Sequence, residues 1–153
     1  MRASSGSPAV PAAPAVLAAV AAGGALGACA RWALTRQSHA AQAGEILSQA
    51  AKILTINIAG SFLMGILIAA ALRRSLPRLA RPFLGTGLLG GFTTFSTFAY
   101  DAQSLARAGH GLLAAGYVVA TPVLAVTACW LGVQVSHRVL GGSPPTEPEA
   151  GEI

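Results

Sequence analysis

Between Gly85 and Phe98 the chain reads GTGLLGGFTTFSTF, which sets hydroxyls and aromatic rings directly behind a glycine doublet. Thr93, Thr94, Ser96 and Thr97 supply the hydroxyls, Phe95 and Phe98 the rings, Gly90 and Gly91 the doublet. A glycine pair lets a helix unwind, and unwinding frees carbonyls that need a partner where water is scarce. At membrane depth a cation can be that partner, as in transporters with discontinuous helices. Beyond the doublet, Thr94 and Thr97 are three apart, as are Phe95 and Phe98, so a resumed helix presents one hydroxyl stripe and one aromatic stripe. An aromatic ring has a negative face and a positive edge. Ring edges beside hydroxyl and amide donors make a lining suited to a small, strongly hydrated anion. The segment is thus predicted to break midway, to anchor a cation at the break and to serve an anion beyond it.

Other polar residues fall within apolar sequence, where they are costly and tend to mark pathways. Asn57, in TINIAGSF, has Ser61 one turn later on the same face. The pair either hydrogen-bonds neighbouring helices or lines an aqueous path. Arg31 closes an apolar run and either snorkels to the interface or makes one mouth of a pore electropositive. Cys29 and Cys129 lie inside apolar stretches and read as small packing residues rather than a disulfide or metal pair.

These groups must be positioned by membrane helices. The chain is 54% hydrophobic and 10% charged, against about 25% charged for soluble domains, and its mean hydropathy is +0.62. Four apolar blocks, 14–34, 53–72, 82–100 and 111–135, each approach the about 20 residues that cross a hydrocarbon core. The expectation is an all-α membrane protein with four transmembrane helices, the third broken, over residues 14–138. The Ala/Pro/Ser-rich residues 1–13 and the Gly/Pro/Glu-rich residues 139–153 read as disordered tails. Arg2 and an Ala-rich run ending at Cys29 resemble a cleavable leader, but three further spans argue for a retained helix. The stretch SHAAQAGEILSQAAK, between the first two spans, reads as a short interfacial helix, with His39 and Glu45 solvated. Gly23-x-x-x-Gly27, Ser61-x-x-x-Gly65 and Gly87-x-x-x-Gly91 offer flat strips for close helix contact.

Charge gives an ambiguous orientation. One side carries Arg2, Arg73, Arg74, Arg78, Arg81 and Arg138, the other Arg31, Arg36, Lys52 and Arg107. So small a bias permits insertion both ways round, and hence an antiparallel dimer, beside the ordinary single orientation set by the basic second loop.

GLLGGFTTFSTFAYD resembles the third-helix signature of the Fluc (CrcB) family of fluoride channels, GGALGACARW their first helix and NIAGSFLMG their second. The resemblance runs in order from about Gly23 to Val135. It implies a passive, fluoride-selective channel of the bacterial inner membrane that lowers cytoplasmic fluoride. It also implies a dual-topology antiparallel homodimer with two pores and a central structural Na⁺ held by main-chain oxygens of Gly90 and Thr93. The family's pore phenylalanines match Phe95 and Phe98, its pore asparagine Asn57, and its fourth-helix tyrosine Tyr117. Ser96, Thr97 and Thr121 are further pore or polar-track groups by the same resemblance. Trp32 stands where relatives often have Tyr. Ala125, one turn past Thr121, leaves the fourth helix short of hydroxyls.

Two other classes compete. A small dual-topology multidrug exporter would place a glutamate in its first helix, and AVLAAVAAGGALGACARWAL has none. A non-transporting scaffold would use the glycines and threonines for packing alone. No Ser/His/Asp, Cys/His or metal-ligand constellation suggests an enzyme. Asp101, at the end of the third span, is the one acid near a span, so no coupling group is expected at the midplane.

Overall fold

The computed structural model describes residues 12–36, 43–73 and 76–139, so residues 1–11 and 140–153 of the proposed tails, and His39, lie outside the described residues. Helix α1 runs Ala13–Leu34, α2 Ala43–Arg73, a π-helix Pro82–Leu89, α3 Gly90–Phe92, α4 Phe95–Arg107 and α5 Gly111–Val139. Helix α1 starts one residue before the block read from sequence, whereas α2 starts ten residues before its own block and α5 ends four residues after. Pro14 opens α1, where its missing N–H costs nothing. Gly109, at φ 83°, ends α4 in a Schellman turn: its N–H donates to Ala106 O, and the His110 N–H to Leu105 O.

Among the described residues, three continuous helices are long and apolar enough to cross a membrane: Ala13–Leu34, Gly44–Arg73 and Gly111–Val139. The other apolar block is divided among the π-helix, α3 and α4. At 31 residues and a rise of about 1.5 Å each, α2 is about 46 Å long, well beyond a hydrocarbon core of about 30 Å. The stretch read as a separate interfacial helix is therefore corrected: from Ala43 it continues α2 without interruption. Its amphipathic pattern comes from packing against α4 and α5, since Ile46 and Leu54 lie against the buried cluster of Ala50, Leu105, Ala114 and Tyr117.

The helices pack as two pairs, α1 on the π-helix and α3, and α2 on α5, with α4 set against α2 and α5. Glycine makes both pairings close. A Cβ on Gly27 would overlap Leu88 O and lie 2.8 Å from Phe92 N, and one on Gly65 would overlap Cys129 O. Backbone meets backbone there, and in lipid such van der Waals contact drives association. Pairing of α1 with the π-helix and α3 holds the third span's first half in place, and the helix ends just beyond, at the candidate site.

Candidate functional site

The break lies at Thr93–Thr94, a correction to the expected unwinding at the glycine doublet. Gly90 and Gly91 are helical, in α3. Gly91 serves close approach instead, because a Cβ there would overlap Gly24 O. Thr93 (φ −78°, ψ 156°) and Thr94 (φ −148°, ψ 127°) are extended, and helix resumes at Phe95. β-branched threonine accepts extended backbone readily, and it brings hydroxyls that satisfy helix ends. Thr93 Oγ1 donates to Leu89 O (2.9 Å), and Thr94 Oγ1 accepts from the Thr97 N–H (3.2 Å) as the N-cap of α4. The Thr94 hydroxyl donates to Thr97 Oγ1 (3.1 Å) and lies 3.3 Å from Ser96 Oγ. Thr94 and Thr97 thus form one capping network, whereas Ser96 is exposed.

Asn57 clamps the break. Its Nδ2 donates to Thr94 O (3.1 Å) and the Thr94 N–H donates to its Oδ1 (3.0 Å), so one side-chain amide pairs with one residue's main chain as a neighbouring strand would. Of the two readings left open for Asn57, the bonds to a neighbouring helical element are the ones present. Arg31 turns inward, its Nε donating to Gly91 O (3.3 Å), and does not snorkel. Ser61 parts from Asn57: it lines a cavity of about 210 Å³ with Gly60, Met64, Leu89, Thr93 and residues of α5.

These bonds decide which carbonyls are left over. In an unbroken helix the Thr94 N–H would serve Gly90 O and the Thr97 N–H would serve Thr93 O. Here the first goes to Asn57 and the second to Thr94 Oγ1. Gly90 O and Thr93 O are thus deprived of their helical donors. Among the described residues no group of His, Cys, Asp or Glu could hold a metal.

An aromatic ladder leads away from the break. The Phe95 and Phe98 centroids are 5.6 Å apart at 51°, and Phe98 and Tyr117 are 5.2 Å apart at 44°. Tilted rings at these distances present edges as well as faces. Phe95 is 79% exposed in the single chain, Phe98 half-buried and Tyr117 buried. Tyr117 keeps its hydroxyl without a partner among the described residues. Thr121 is also buried, and its hydroxyl donates to Tyr117 O (2.8 Å), which ties it to its own helix.

Sequence reasoning undervalued three residues around this ladder. Asp101 is only 3% exposed and, among the described residues, neither its Oδ2 nor Gln49 Oε1 has a hydrogen-bond partner. Glu45, expected to be solvated, is half-buried with Oε2 likewise unpartnered. The signal was there for Asp101, which follows Phe98 at the same three-residue step that separates Phe95 from Phe98. Cys29 is exposed on α1 and Cys129 half-buried, and both are free thiols.

Comparison with known proteins adds an independent line. Residues 18–133 match the family described as "CrcB-like protein, Camphor Resistance (CrcB)". A Streptomyces coelicolor protein named "Fluoride-specific ion channel FluC 1" is 44% identical over 86 residues, 56% of each chain. Proteins named "Fluoride-specific ion channel FluC" are similar in Mesorhizobium japonicum (42% over 86 residues, 56% of this chain and 69% of that one) and Agrobacterium fabrum (42% over 87 residues, 56% and 70%). The match therefore spans little more than half the length of the Streptomyces relative.

Proposed function

The chain belongs to the CrcB family, and from that premise we propose that this multi-pass membrane protein is a fluoride-selective channel that exports cytoplasmic fluoride passively. The observation that carries the reading is the Phe95–Phe98–Tyr117 ladder, which starts at a capped helix break and ends on an unpartnered, buried hydroxyl. Fluoride entering as HF dissociates inside the cell, and an anion path down its gradient then lowers the internal level without an energy source. Along the path, ring edges and the hydroxyls of Ser96 and Tyr117 replace lost hydration, Thr97 and Thr121 shape the wall, and Arg31 holds the mouth electropositive while capping Gly91 O. Asn57 fixes the main chain from which the rings project. A multidrug exporter is not favoured, because α1 carries no acid for a drug–proton exchange.

Two finer features belong to the same proposal. The oxygens of Gly90 and Thr93 would hold a structural Na⁺, an electropositive partner for carbonyls deprived of their helical donors. The working unit would be an antiparallel, dual-topology homodimer, supported by the near-even arginine distribution and by the wide exposure of Phe95, which a partner would cover. The test is fluoride efflux from liposomes containing only the purified chain, followed with a fluoride electrode. Rapid efflux is expected, and no efflux from correctly inserted protein would overturn the reading. Replacing Na⁺ by N-methylglucamine should dissociate the dimer on size exclusion, and an unchanged dimer would remove the cation from the scheme.

A further inference from the structure

A groove opens toward the end of the molecule that carries the basic second loop. It has a volume of about 340 Å³ and is lined by Met64, Leu67, Ile68, Ala71 and Leu72 of α2, with Arg81, Gly85 and Thr86 facing them. Met64 also lines the cavity beside Thr93, so the groove begins level with the helix break. Eight residues of rise to Leu72 carry it about 12 Å toward the membrane surface. Its flank is wide open, since Ile68 is 44% and Leu72 70% exposed. Glycine at Gly85 keeps the floor low, with Leu67 Cδ2 at 3.5 Å from the position of a missing Cβ.

The polar end of the groove is built as well. Ala71 is among the last four residues of α2, whose carbonyls have no helical donor. The Arg81 guanidinium donates to Ala71 O and so bridges α2 to the start of the π-helix. A guanidinium has five N–H donors in a planar fork, and Arg81 is exposed with Ala71 O as its hydrogen-bond partner among the described residues. Donors remain for two further oxygens in bidentate geometry. Arg78, three residues earlier, is exposed and adds positive charge at the same membrane surface, while the last turn of α2 contributes no acid.

We propose that this groove is a binding site for an anionic phospholipid, with one acyl chain laid against Met64–Leu72 and the headgroup phosphate on Arg81. Charge complementarity selects the occupant: an apolar trough that ends on a fixed, half-satisfied arginine at headgroup depth matches a phosphate attached to a hydrocarbon chain. Basic pockets between transmembrane helices are a known setting for such headgroups. The bound lipid would brace α2 against the π-helix that precedes the break. The inference needs only that the chain spans a membrane, and it does not depend on which ion is conducted.

The test is native mass spectrometry of the full chain in mild detergent, with dioleoyl phosphatidylglycerol or dioleoyl phosphatidylcholine added at equal ratio. Phosphatidylglycerol should be retained about fivefold more, the value of one arginine near a membrane surface. Arg81→Gln should lower its retention to the phosphatidylcholine level, Arg81→Lys should keep most of the preference, and Ile68→Trp, which fills the trough, should lower both lipids. A thermal melt of each variant in the same detergent reports an intact fold, and should Arg81→Gln lose it, Ile68→Trp carries the test. Equal retention of the two lipids, or retention indifferent to both Arg81→Gln and Ile68→Trp, would overturn the proposal. So would a disulfide between two Ile68→Cys chains in oxidised native membranes, since a second copy would then cover the groove.

Discussion

If Asn57 is a clamp on the break, removing its amide should unfold the site before it alters any electrostatics. Asn57→Ala deletes both bonds to Thr94, at 3.1 and 3.0 Å, and leaves a main-chain N–H and a carbonyl without partners where Asn57 itself is 9% exposed. Each orphaned group costs about 1–3 kcal/mol, so the pair costs about 2–6 kcal/mol. Asn57→Asp keeps the acceptor for the Thr94 N–H and loses only the donor to Thr94 O, for about 1–3 kcal/mol. For a chain of this size each kcal/mol corresponds to about 2–4 °C in Tm, which places the alanine variant about 4–24 °C below the wild type. Thermal melts of both proteins in one detergent, read beside fluoride efflux from liposomes, separate the roles. The clamp predicts a lower Tm for both variants, with flux falling in both. A purely pore-lining Asn57 predicts unchanged melts and a flux defect that is worse for Asp, whose charge repels the anion. An alanine variant that melts with the wild type would refute the reasoning.

Phe95→Ile and Phe98→Ile should each cut fluoride flux sharply while the assembled state on size exclusion is unchanged, and wild-type efflux from both would remove the ladder from the pathway. Gly27→Ala should cost folded protein, because its Cβ would overlap Leu88 O, whereas Gly116→Ala, with no described atom within 4 Å of the new Cβ, should leave stability in the melt unchanged or raise it by up to about 1 kcal/mol. Arg31→Ala should lower Tm by leaving Gly91 O without its side-chain donor (3.3 Å), and Arg31→Lys should restore part of the loss in the same melt. Thr94→Val removes the N-cap of α4, expected to cost about 1 kcal/mol in a denaturant or thermal series.

Much of this protein could be read along the chain because hydropathy and periodicity are local quantities. Blocks of about 20 apolar residues must become helices in lipid, where every main-chain polar group needs an internal partner. Hydroxyls and rings at three-residue spacing must share faces once a helix forms. The bulk of the fold, the existence of a break in the third span and the identity of the residues around it follow from those rules. Its location does not. The glycine doublet looked like the hinge, but Gly91 is needed for contact with α1, and the extended residues are Thr93 and Thr94, held by an asparagine 37 positions earlier in the chain. A pairing over that separation has no local signature. The same is true of Arg31, whose side chain reaches across to a carbonyl 60 residues away instead of toward the surface.

The amphipathic run before Lys52 shows the limit most plainly. Its pattern fits a helix lying in the interface or one standing upright against two others, and only the packing of Ile46 and Ala50 on α4 and α5 distinguishes them. Burial of Asp101, Gln49 and Glu45 was out of reach for the same reason, since whether a polar side chain faces water depends on what stands opposite. Sequence by itself determined that this chain crosses a membrane and where its costly polar residues fall. Tertiary structure alone decided which main-chain oxygens go without a donor, because that depends on where each competing N–H finds its partner in space.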